Sequence, residues 1–312
     1  MRKNDDILWK SVIEEVFDDL LRFIFPEADK IFDIDRGFEF LDKELAKMCP
    51  EPYRKSETRF VDKLVKVYRR DGREEWVLCH IEVQGGTRKK ALFAERMFRY
   101  YCRIFDRHQK PITAIAIFTA KDGKTMPDRY VYRFLGTSHV YQYNTYCITD
   151  PTDEALEKSN NPFAVVVLAA RKALLAGKIP EEELLNQKTL IARLLLRKKR
   201  FSRKKIRGIM TFLNNYILFK EPETNRIFIK ELDKITGKKN TMGIIEALAE
   251  IREQEGREKG LVEGLAIGDE KRSLLVVENL LRDTDFPIEK IADLAGVSAA
   301  YVKRVKKGIR SK

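Results

Sequence analysis

The sequence predicts a mixed α/β domain followed by an all-helical region. Three observations carry that expectation: two strand-like runs flank an Asp-Gly turn, helical periodicity lies on both sides of them, and after about residue 153 the apolar pattern is helical throughout. A chain of 312 residues suits about two domains with a sizeable core. The expected division is an α/β domain at 1–152, a basic helical domain at 153–240 and a helical tail at 241–312.

Taken in order, Leu8, Val12, Val16, Leu20 and Phe23 recur at helical spacing between Ile7 and Phe25, and Pro26 closes that first helix. Phe60–Tyr68 and Trp76–Gln84 read as adjacent antiparallel strands around Arg69–Arg73, whose Asp71-Gly72 pair is a hairpin signal. From Lys89 to His108 the pattern returns to helix, with Leu92, Phe93, Met97, Tyr100, Tyr101 and Ile104 on one side. Pro111 introduces the apolar strand Ile112–Phe118, and alternation over His139–Ile148 predicts an edge strand before Asp150-Pro151. Helices are expected near 162–176, 181–200, 203–219, 241–255, 270–282, 287–295 and 299–309. Gly256, Gly260, Gly264 and Gly268 recur on one helical face, which suits either close helix packing or local looseness.

Composition narrows the function classes. A hydrophobic fraction of 44% with 10% aromatic residues argues against wholesale disorder. The net charge of +13 favours a polyanionic partner, nucleic acid or an anionic membrane surface, and charge alone does not choose between them. No apolar signal segment opens the chain, and the longest apolar run, Phe163–Ala170, falls far short of the roughly 20 residues a membrane span needs, so a cytoplasmic protein without membrane insertion is expected. Cys49, Cys79, Cys102 and Cys147 are scattered, which fits reduced thiols and not structural zinc.

Chemistry concentrates on the hairpin. His80, Glu82 and Gln84 alternate onto one strand face, and Asp62 and Lys66 share a face of the preceding strand. Asp62 and Glu82 can thus meet around one hard cation, for which magnesium is suited because it accepts one or two carboxylates and keeps several waters. The alternative is the plain solvent face of a hairpin. Arg96 and Tyr100 lie one helical turn apart, consistent with a phosphate or metal-site contact or with a buried tyrosine under an arginine stem. His80 is placed for a hydrogen bond behind a metal ligand. With 3 histidines in all, no histidine metal cluster or catalytic triad forms, and no Gly-rich phosphate loop implies ATP.

The string Phe60-Val61-Asp62-Lys63-Leu64-Val65-Lys66-Val67, the Asp71-Gly72 hairpin and Leu78-Cys79-His80-Ile81-Glu82-Val83-Gln84 together resemble the recombination-promoting nuclease family, also described as putative transposases (the Rpn or YhgA-like group) of the PD-(D/E)XK superfamily. Asp6-Ile7-Leu8-Trp9-Lys10 and Arg96-Met97-Phe98-Arg99-Tyr100 extend the resemblance. It implies a restriction-endonuclease-like α-β-β-β-α-β core and divalent-metal hydrolysis of DNA phosphodiesters, in recombination or transposition. Asp62 and Glu82 would ligate Mg2+, with Mn2+ as the alternative ion. Gln84 stands where the superfamily motif usually has lysine, and an amide orients by hydrogen bonds without supplying charge. Weak turnover, or DNA binding without turnover, is the consequence to test. Lys66 is a candidate for the missing charge, and Glu15 or Glu14 for an additional metal ligand, as in some superfamily members.

Two basic segments complete the reading. Arg193, Arg197, Lys198, Lys199, Arg200, Arg203, Lys204, Lys205 and Arg207 form a run without an acidic residue, suited to DNA phosphates or to a solvated helix junction. Phe286–Val305 resembles a helix-turn-helix with Ala292, Gly296 and Val302 at the close crossing; Lys303, Arg304, Lys306 and Lys307 follow. DNA contact and self-association as a homo-oligomer through a helical tail, or a helical protein-interaction module, are the alternatives for this segment.

Overall fold

The computed structural model describes residues 5–42, 45, 60–82, 90–120, 123–198, 200–236, 273–284 and 286–310. It forms two compact units, Met1–Ala247 and Leu248–Lys312.

In the first unit, α1 spans Asp5–Ile24, with Asp5 and Asp6 in its first turn and Arg22 in its last, charges that complement the helix dipole. Its apolar stripe, Leu8 to Leu21, is buried, and Val16 departs from helical geometry at a kink. A short helix α2 (Ala28–Ile31) leads to β1 (Glu39–Phe40), β2 (Phe60–Tyr68) and β3 (Glu74–Glu82). Gly72 turns the β2–β3 hairpin at φ 85°, a conformation that costs glycine little. Then come α3 (Lys90–His108), β4 (Ile112–Phe118), β5 (Arg129–Phe134), β6 (Thr137–Gln142) and β7 (Asn144–Cys147). The main sheet has the order β1-β2-β3-β4-β7; β1, β2 and β3 run antiparallel, and β3, β4 and β7 are parallel neighbours, with α3 as the connection from β3 to β4. A mixed α/β class is therefore what the chain adopts.

Alternation decides which helix covers which face. Leu64, Trp76, Leu78, Ala114, Ala116 and Phe118 join Phe93, Met97 and Ile104 of α3 in one core. Lys63 points to the opposite face, where α1 lies against β2. The expected edge strand at His139–Ile148 divides in two: β7 borders the main sheet, while β6 pairs with β5 in a separate ribbon. That ribbon is held by stacking of Tyr130 on Phe98, with ring centroids 4.9 Å apart.

The helices α4 (Asp153–Lys158), α5 (Pro162–Ala173), α6 (Glu181–Arg197), α7 (Arg203–Tyr216) and α8 (Pro222–Thr236) follow. Thr152, Asn161 and Ser202 cap α4, α5 and α7 through side-chain oxygens. Residues Pro162–Ala170 of α5 are all buried, so the apolar run is a core helix covered on every side. α1 packs against both α5 and α7, and Trp9 meets Phe212 edge-on at 5.0 Å. The boundary expected at 152/153 thus falls inside one unit, because α1 supplies its apolar stripe to the later helices as well as to the sheet.

The second unit contains a helix at 273–283, here α9, followed by α10 (Ile288–Ala295) and α11 (Ala299–Arg310) around Val277, Ile291, Ala292 and Val302. The helix expected at 241–255 and the glycine repeat lie outside the described residues. Among the described residues, no helix is long and apolar enough to cross a membrane.

Candidate functional site

The β2–β3 register pairs Asp62 with His80 and Phe60 with Glu82. Directly paired residues share a sheet face, so Asp62 and Glu82 occupy diagonal positions on one face, about 7 Å apart by ordinary strand geometry. α3 crosses that face and adds Arg96 and Tyr100. The Tyr100 hydroxyl donates to Asp62 Oδ2 at 3.3 Å, and Arg96 Nη2 donates to His80 Nε2 at 3.0 Å. His80 Nδ1 is hydrogen-bonded to Asp62 Oδ1.

This network fixes the imidazole. A guanidinium only donates and a carboxylate only accepts, so Nε2 accepts from Arg96 while Nδ1–H donates to Asp62. His80 is fully buried and lies edge-on to Phe93 at 5.1 Å. Asp62 keeps 17% of its side chain exposed. Burial pushes its carboxyl upward, but the interactions with His80, then Arg96 and Tyr100, outweigh this and hold it below the ordinary 3.8. The site therefore presents an anionic oxygen donor beside a guanidinium, on a face whose next register position is Glu82.

The other sequence candidates are distributed differently. Lys66 shares the Asp62 face but lies four residues away, about 13 Å along a strand. There it bonds Glu39 at 3.3 Å and Glu74 at 3.1 Å, so its charge is engaged at the hairpin end instead of beside Asp62. Glu15 faces α7, pairing with Lys204 at 3.1 Å and lying against Gly208. Glu14 bonds Lys63 on the opposite sheet face, together with Asp42 at 2.6 Å. Neither glutamate joins Asp62, because α1 covers the face that Asp62 does not occupy. Gln84 lies outside the described residues, and Glu82 is described by its backbone. Among the described residues no group of three or more His, Cys, Asp or Glu side chains is arranged to hold a metal ion. Cys79 is buried and its thiol is pushed up to about 12 by desolvation, which suits a packing residue and not a nucleophile.

The basic run separates into internal and external cations. Lys198 Nζ donates to the carbonyls of Ser159 at 2.8 Å and Glu157 at 3.1 Å, holding the end of α4. Lys205 bonds Asp18 at 2.7 Å and Asp19 at 2.6 Å on α1. Both of these lysines, named for DNA contact from the sequence, are thus half-buried and bonded within the fold. Arg197, Arg200, Arg203, Lys204 and Arg207 stay exposed; Lys199 lies outside the described residues. Lys303 and Arg304 are exposed on α11 of the second unit.

Sequence reasoning placed His80 behind a metal ligand but missed its direct bond to Asp62. Counting pairs outward from the Asp71-Gly72 turn sets the two residues opposite each other, which was the available signal. The buried Lys63 and Lys188 carried no sequence signal, since lysine is ordinarily a surface residue. The chain matches no protein-family model, no curated protein and no solved structure.

Proposed function

We propose that this chain is a divalent-metal-dependent DNA endonuclease with a PD-(D/E)XK-type core, centred on Asp62 and Glu82. The observation that carries this reading is their diagonal placement on one face of the β2–β3 hairpin, with Arg96 and Tyr100 brought to the same face by α3. Among the described residues, the order α1, β1, β2, β3, α3, β4, with only the short α2 and a 3-10 turn between α1 and β1 and with β3 and β4 parallel, supports the α-β-β-β-α-β core that the sequence resemblance implies.

The donor set suits a hard cation: Asp62 is held ionised, and a carboxylate is the ligand that magnesium or manganese prefers. Asp62 and Glu82 would hold the ion, which when bound supplies an acidified water and neutralises phosphate charge. The chain's own residues do the positioning. His80 fixes the Asp62 carboxylate, Tyr100 donates to its second oxygen, and Arg96 brings positive charge for the scissile phosphate. Gln84 can orient a nucleophilic water by hydrogen bonding but adds no charge.

A second reading, DNA binding on a nuclease-like core without useful turnover, is favoured by one observation. Both Asp62 oxygens already accept hydrogen bonds from His80 and Tyr100, so a metal must share or displace them. Plasmid cleavage separates the two readings. The nuclease reading expects nicking with magnesium or manganese, suppression by chelator, and loss in Glu82→Gln; binding without cleavage by the wild-type chain favours the second.

A further inference from the structure

The second unit carries a basic helical hairpin of its own. α10 ends at Ala295 and α11 begins at Ala299, so three residues turn the chain between them. Gly296 takes the left-handed conformation, φ 65° and ψ 29°, and the Val297 amide donates to the Ala292 carbonyl at 3.0 Å. Ser298 Oγ then accepts from the Tyr301 amide at 3.2 Å and caps α11. A left-handed glycine followed at once by a helix cap makes the short turn of a helix-turn-helix.

The apolar side of this hairpin is already consumed. Ile291, Ala292 and Val302 are buried with Val277 of α9, and Leu280, Leu281, Ile288 and Val305 pack around them. Among the described side chains of α11, the cations Lys303, Arg304 and Lys306 are exposed beside the small Ala300, and Arg304 lies over the Tyr301 ring at 5.0 Å. Between residues 294 and 312 the sequence has six basic residues and no acidic one. Among the described residues of this unit, the large apolar side chains that remain exposed, Leu274, Leu275, Phe286 and Leu294, lie on α9, α10 and the segment joining them. A second copy seated on apolar surface would use those elements and leave α11 free.

We propose that α11 is a recognition helix that the second unit lays in the major groove of duplex DNA, with Lys303, Arg304 and Lys306 on phosphates and the small Ala300 allowing close approach. Charge selects the occupant: an exposed helix face with cations and no carboxylate complements a phosphate backbone. The inference stands apart from the nuclease reading, because it requires neither metal nor hydrolysis.

The test uses the full chain in chelator, so cleavage does not enter, and titrates a labelled duplex over a salt series. Substituting Lys303→Ala, Arg304→Ala and Lys306→Ala together should weaken binding and lower the magnitude of the log affinity against log salt slope by up to about 2.7, at about 0.9 per phosphate contact. Ala300→Glu should weaken binding as well, through repulsion at the groove. All four positions are exposed, so unchanged helicity and melting are expected and are checked by circular dichroism. Wild-type affinity and slope in both variants would overturn the proposal. So would an altered monomer–dimer balance in sedimentation with DNA binding untouched, because the face would then be a protein contact. Failure of the wild-type chain to cleave DNA in magnesium would count against the nuclease reading alone.

Discussion

His80 and Asp62 face each other as a direct pair across β2 and β3, and the imidazole Nδ1–H donates to the carboxylate. Arg96 holds the other ring nitrogen, so one buried histidine transmits the position of α3 to the proposed metal ligand. A partner of this kind orients a ligand, and its loss commonly lowers metal affinity or activity by about 10–100-fold. His80→Ala should therefore reduce the cleavage rate by about that factor, and added manganese should recover part of it. An unchanged metal dependence in the variant would show that the histidine serves packing alone.

Asp62→Asn should reduce cleavage to background while leaving duplex affinity within about a factor of three, because it removes a ligand and not a phosphate contact. Electrophoretic mobility shift and plasmid nicking on the same preparation separate the two effects. Parallel loss of binding and cleavage would mean that Asp62 supports the fold or the DNA surface instead.

The same carboxylate makes a pH prediction. Its pKa in the folded protein lies below the ordinary 3.8, so the unfolded chain binds the proton more readily. The stabilisation is present above the unfolded value and is lost as pH falls through the folded one. Urea midpoints measured from neutrality down into that acid range should fall less steeply for Asp62→Asn than for wild type. Identical slopes would contradict the depressed carboxyl.

Two buried lysines should respond differently to substitution. Lys188 is fully buried in α6 and donates to the carbonyls of Asn214 at 3.1 Å and Ile217 at 2.9 Å. Lys188→Ala strands those acceptors at the end of α7 and opens a cavity, at a cost of about 3 kcal/mol or more. Lys63 is also fully buried, yet its partners Glu14 and Asp42 keep 46% and 31% of their side chains exposed. Those carboxylates can rehydrate, so Lys63→Met should cost less, about 1–2 kcal/mol. Denaturant unfolding of both variants checks the order, and the reverse order would refute it.

Substituting Arg197, Arg200, Arg203 and Arg207 together by alanine should lower the salt slope of DNA binding by up to about 3.6 at about 0.9 per contact, with little change in stability. Lys198→Ala should instead destabilise the fold, because its ammonium holds the carbonyls of Glu157 and Ser159. Wild-type salt dependence in the arginine variant would leave the run as solvated surface.

How much of this was legible in the sequence depended on whether a signal was periodic or relational. β2 and β4 lie at the expected residues, and α3 covers Lys90–His108 of the expected Lys89–His108, since alternation and Pro111 are local signals. β5 was not expected, because only Tyr130 of its apolar residues packs on α3 while Val131, Tyr132 and Phe134 stay exposed, so no buried face marks the strand. α4 and α8 were missed as short or strongly charged segments. In the site, Asp62, Arg96 and Tyr100 were nameable from strand and helix spacing, and the structure brings all three together. The placement of Glu15 and Lys66 was not, because which sheet face α1 covers, and where Glu39 and Glu74 lie, depend on tertiary packing.

Anomalous diffraction from crystals soaked in manganese would locate an ion between Asp62 and Glu82. A shared divalent ion should give a peak bonded to both carboxylates, absent from crystals of the Glu82→Gln variant. A peak elsewhere, or none while Asp62 remains bonded only to His80 and Tyr100 in protein that cleaves DNA, would contradict it.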